Sequence, residues 1–63
     1  MTFTAKQKGE CAAREVGYRK RVYARRVAAE QMTQAKADAE IAIMQEIADD
    51  YRRLAEVEEP RLI

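Results

Sequence analysis

At 63 residues, with 48% apolar and 37% charged side chains and a formal net charge of +1, the chain is at most one domain, and its balance fits a soluble helical protein, not a disordered tail. One cysteine and no histidine exclude an intramolecular disulfide and the usual structural zinc sites. So short a chain must then rely on regular helix packing, self-association or docking on another macromolecule.

The first ten residues, MTFTAKQKGE, lack the apolar centre of a secretion signal, and no apolar run approaches the roughly 20 residues of a membrane span. The expectation is a cytoplasmic protein with no membrane partner, Cys11 remaining a free thiol. Gly9 and Gly17 fall in the first third, and Pro60 follows EVEE, where a helix must stop. Between them Ala, Glu, Gln, Arg, Lys and Met predominate, residues that lose little on entering a helix, and nothing suggests strands.

A first helix is expected over about residues 5–30. Its segment EVGYRKRVYARRVAAEQM, Glu15 to Met32, threads basic residues between tyrosines and valines. At about 100° per residue the apolar positions form two stripes, Ala12, Val16, Tyr23 and Val27 in one, Cys11, Tyr18, Val22 and Ala29 in the other, with Glu15, Arg19 and Arg26 between them. One neighbouring helix cannot cover both stripes. The second is left for a twin chain, a foreign protein or solvent.

A turn is expected at about 31–32, because Thr33 can cap a following helix with its side-chain oxygen. Met32 and Ala37 occupy the positions of a hydrophobic staple, although Lys36 stands where a capping box needs Glu or Gln. No glycine closes the first helix, and one continuous rod is the competing arrangement. Helix 2, about 33–58, places Ala37, Ile41, Met44, Ile47, Ala48, Tyr51, Leu54 and Ala55 on one face and Asp38, Gln45, Asp49 and Arg53 opposite. Glu56, Glu58 and Glu59 fall at the unfavourable end of its dipole, which predicts fraying or pairing with a partner's cations.

Charge divides the chain at the same point. Residues 1–31 hold eight Lys or Arg against three Glu, for +5; residues 32–63 hold four against eight Asp or Glu, for −4. An antiparallel hairpin would lay the basic helix along the acidic one.

The arginines have two readings. Their stems cover apolar neighbours while their heads meet solvent or carboxylates, or they track phosphates as tyrosines stack on bases. A −4 half in so small a domain repels a polyanion, which favours a protein interface. Catalysis is not expected, since serine and histidine are absent and two helices enclose little volume. The carboxylates Glu46, Asp49 and Asp50 fall within about one turn, yet a solvated acidic face is the simpler reading. No cofactor or metal is implied.

The segments Arg21-Val22-Tyr23, then Met32, Thr33, Ala37, Glu40, Ile41, Met44, Ile47, Asp50 and Tyr51, resemble a family of small proteins of tailed phages and prophages of Gram-negative bacteria. There, RVY precedes a turn and MTxxxAxxEIxxMxxIxxDY. The resemblance covers about the middle half of the chain and implies a phage origin and a helical hairpin. Members often carry a glycine just before Met-Thr, where this chain has Glu30 and Gln31.

The expectation is therefore an all-α single domain over 1–63, an antiparallel two-helix hairpin with a four-helix dimer left open. Val16, Tyr23, Val27, Ile41, Met44, Ile47, Tyr51 and Leu54 are its expected core. Tyr18, Arg19, Arg21, Val22, Arg25 and Arg26 are the expected contact surface for a host or phage protein, in the manner of small anti-defence inhibitors such as anti-CRISPR proteins. A nucleic-acid accessory role and a purely structural oligomer are the alternatives.

Overall fold

Thr4 starts the molecule's first helix by accepting a hydrogen bond from the Gln7 N–H at 3.0 Å, while the Gln7 side chain accepts one from the Thr4 N–H at 2.9 Å. Two otherwise orphaned donors are satisfied reciprocally, a capping box. The computed structural model describes residues 2–58 and consists of α1, Ala5–Ala28, and α2, Gln34–Glu58. The helices run antiparallel, with Ala5 beside Glu58 at one end and Arg19 beside Glu40 nearer the other. The chain is an all-α hairpin, and the continuous rod is excluded.

The turn is sharp without glycine. Beyond Ala29, the Gln31 N–H donates to the Arg26 carbonyl at 2.8 Å and the Glu30 N–H to the Val27 carbonyl at 3.0 Å, the bond pair of a Schellman motif. This geometry needs a left-handed residue, and Glu30 supplies it at φ 60°. That is why α1 stops at Ala28, two residues before the expected end. Across the turn, Thr33 Oγ1 accepts from the Lys36 N–H at 3.1 Å and the Thr33 carbonyl from the Ala37 N–H at 3.0 Å, which opens α2 one residue later than expected.

The core is built from small side chains. Ala5, Ala12, Val16, Ala37 and Ala48 are the buried hydrophobic residues among those described, and none of the described polar or charged residues is buried. Tyr23, Val27, Ile41, Met44 and Tyr51 are half-buried around this seam. Ile47 and Leu54, expected inside, are 36% and 44% exposed. The seam of α2 centres on Ala37, Ala48 and Ala55, which lets the backbones approach and turns the larger residues to one side.

Both glycines lie inside α1 and not at an edge. A Cβ on Gly9 would stand 3.3 Å from Tyr51 Cβ and 3.5 Å from the Arg52 nitrogen, whereas one on Gly17 would meet only the Arg21 guanidinium at 3.9 Å. Gly9 therefore marks a close approach of the helices, and Gly17 simply costs helix entropy. At the same end, the Glu58 carboxylate accepts a 3.0 Å hydrogen bond from the Ala5 N–H. The acid that sits badly on the dipole of α2 thus sits well on that of α1, and no partner's cation is needed to explain it. Glu59 and Pro60 lie outside the described residues.

Two substitutions test this account by chemical denaturation. Glu30→Gly relieves the left-handed strain and should raise stability by about 1 kcal/mol, while Glu30→Val should lower it. Gly17→Ala should add about 0.5–1 kcal/mol. Gly9→Val, which cannot enter the seam without parting the helices, should lose stability instead.

Candidate interaction surface

The basic side chains of α1 do not, for the most part, reach the acids of α2. Among the described residues the one ion pair between the helices is made by Arg19, whose Nη1 donates to the Glu40 carbonyl at 2.9 Å and lies 3.7 Å from the Glu40 carboxylate; Lys8 also crosses, its Nζ 5.5 Å from the Tyr51 ring centroid. The Arg19 Nε donates to Glu15 at 3.0 Å. The hydrogen bond to Glu15 outweighs the opposing effect of burial and raises the Arg19 pKa above its usual value, with Tyr23 and Glu40 adding to it. Arg19 was expected on the contact surface and is instead an internal brace between the helices.

Arg26 is also partly engaged. Its guanidinium lies 5.6 Å from the Tyr23 ring centroid and that of Arg19 lies 5.9 Å away, so the ring is shared by two cations. Val22 is half-buried. What remains of the expected surface is Tyr18, 50% exposed, with Arg21 and Arg25. With Arg14 these follow the spacing i, i+4, i+7, i+11, which lines them along one outer edge of α1 over about 16 Å. Arg14, Lys20, Arg21, Arg25 and Arg26 are exposed and make no ion pair among the described residues.

Three of the acids of α2 are paired locally. Lys36 pairs with Glu40 at 3.4 Å, Arg52 with Asp49 at 3.2 Å, and Arg53 with Asp50, all one turn apart on the same helix. Glu46, Asp49 and Asp50 do not converge, since Asp49 also accepts from Gln45 at 3.0 Å. Among the described residues no group of three acids or thiols is arranged to hold a metal ion, and none of the helices is long and apolar enough to cross a membrane.

The two broad sides of the hairpin differ. On one, Phe3, Cys11, Ala12, Met44 and Ile47 line an open apolar groove of about 540 Å³, which Gln7, Lys8 and Glu15 border. On the other, Lys6, Glu10, Gln45, Asp49 and Arg52 make a polar surface around Gly9, Ala13 and Ala48. Ile43, 54% exposed, stands one turn before Ile47, and Leu54 stands two turns after it, so both extend the apolar side. Phe3 and Ile43 escaped the sequence reading: Phe3 precedes the helix, and Ile43 lies just outside the stripe that the wheel drew on α2.

No protein-family model, curated protein or solved structure matches the chain. The geometry alone therefore separates the arginines into a brace and a free edge, and that division has a direct test. Arg19→Ala should cost about 1–2 kcal/mol in denaturant unfolding, through loss of a charged hydrogen bond and stem packing. Arg21→Ala should stay within about 0.5 kcal/mol of the parent.

Proposed function

We propose that the hairpin is a non-enzymatic protein-binding module whose target meets the basic edge of α1 formed by Arg21 and Arg25, with Tyr18 beside them. The observation that carries this reading is that α2 leaves these charges uncompensated, although the chain carries enough carboxylates to neutralise them. An edge of free guanidiniums next to an exposed tyrosine supplies two of the residue types most enriched at interface hot spots. It suits an acidic protein surface, and the acids on α2 of the same rigid hairpin disfavour a uniformly anionic polymer. The resemblance to small tailed-phage proteins makes a host or phage protein the target class. Binding that blocks or redirects that protein, as an anti-defence inhibitor does, is the mode of action.

The same row of arginines fits phosphates spaced along a strand, so the test separates protein from nucleic acid. Tagged protein is recovered from a lysate of the phage host, with and without nuclease, and everything retained is identified by mass spectrometry. One near-stoichiometric protein that survives nuclease supports the proposal. Loss of all bound protein after nuclease, with nucleic acid recovered, overturns it and assigns the edge to phosphates. The double variant Arg21→Glu, Arg25→Glu should lose the target at least tenfold in affinity while its circular dichroism stays that of the parent.

A further inference from the structure

A second surface exists that the basic edge does not explain. Phe3 is 66% exposed, Ile43 54%, Tyr18 50%, Leu54 44% and Ile47 36%, and together they spread across one broad side of the hairpin. The interior that should have held such residues contains nothing larger than Val16. The molecule keeps more apolar side-chain volume on this side than in its own core, an arrangement that asks for a cover.

We propose that the cover is a second copy of this chain, docked face to face about a two-fold axis parallel to the hairpin's long axis. Three observations select this occupant. The first is area: 24 residues of α1 at about 1.5 Å each span about 36 Å, and the hairpin is 20 Å across. The side therefore offers an area of the order of the ~800 Å² each partner buries in a standard stable interface.

The second is register. The contacts Ala5 to Glu58, Gly9 to Tyr51 and Arg19 to Glu40 set which residues of the two helices share a level. A two-fold parallel to the long axis preserves levels and lays α1 of each copy on α2 of the other. Tyr18 then faces Ile43 of the second copy, Cys11 faces its Ile47, and Phe3 its Leu54, so the exposed apolar residues of this side meet one another across the interface; Val57, 74% exposed, is not among them. The interface is self-complementary, as a two-fold requires.

The third is charge. The same operation sets the +5 half of one chain on the −4 half of the other, whereas a two-fold across the long axis would stack basic α1 on basic α1. Arg14 and Glu46, both exposed and without an ion pair among the described residues, lie on the outer edges that meet, at matching levels. Arg21 and Arg25 lie level with the alanines at positions 35 and 39 in this arrangement and keep their guanidiniums in solvent, whereas Tyr18 is covered, so in the dimer the proposed target meets the two arginines without the ring.

The test is sedimentation equilibrium of the purified full chain over a micromolar concentration series. A dimer is expected. Ile47→Glu should weaken it at least tenfold, and Gln45→Glu, on the polar side, should leave it unchanged. Because a monomer with so lean a core can lose helicity when the face is altered, the charge swap provides an independent reading. Arg14→Glu and Glu46→Arg should each weaken the dimer severalfold, and the double variant should restore it. A monomer at every concentration overturns the proposal and leaves the face to a partner of different sequence. A dimer that tolerates Ile47→Glu, or that the double variant fails to restore, overturns this arrangement.

Discussion

The closeness of the two backbones at Gly9 governs the rest of this hairpin. With Tyr51 Cβ 3.3 Å from where a side chain would begin, the seam favours small side chains, and the buried set of four alanines and one valine is the result. Burying an alanine removes little apolar area from water. The hairpin therefore draws on other sources: helix-forming residues throughout, a reciprocal cap at Thr4 and Gln7, a hydroxyl cap at Thr33, and the ring of half-buried Tyr23, Met44 and Tyr51. Ile43, Ile47 and Leu54, too large for the seam, are displaced onto its flank.

The same closeness explains the charge pattern. Helices that meet through small residues bring their inner edges together, and a long side chain crosses only where it starts at that boundary, as Arg19 does. Arg14, Arg21 and Arg25 begin too far round α1 to reach across, and Arg26, on the face of Arg19, lies beside the turn and rests on the Tyr23 ring instead. Pairing on α2 is left to neighbours one turn apart, which hold a geometry but contribute little at an exposed surface. Charge separation between the halves of the sequence thus survives folding and becomes separation between the edges of the molecule.

Much of this was legible in advance, and the failures have physical causes. The period of α2 and the cap at Thr33 announced a second helix, because both are local features that tertiary packing did not override. The two stripes of α1 correctly signalled that α2 covers one side alone. The reading failed where it weighted residues by size: a helical wheel places Ile47 and Leu54 inside because they are greasy, whereas a close seam selects Ala48 and Ala55 because they are small. It failed at Arg19 because exposure was assigned by residue type, although Glu15 one turn before it offered a signal that the head was held locally. Thr4 and Gln7, spaced as a capping box, were readable and went unread. Glu30 was not readable, since glycine is the residue that normally marks a left-handed turn.

The hydrogen bond between Ala5 and Glu58 fixes one more property of the molecule. It brings the beginning of α1 and the end of α2 to the same pole. The opposite pole, with Arg25 and Arg26 beside the turn, projects a helix length away. The hairpin is mechanically a short lever, its backbone entering and leaving at one pole and two of its arginines standing at the other.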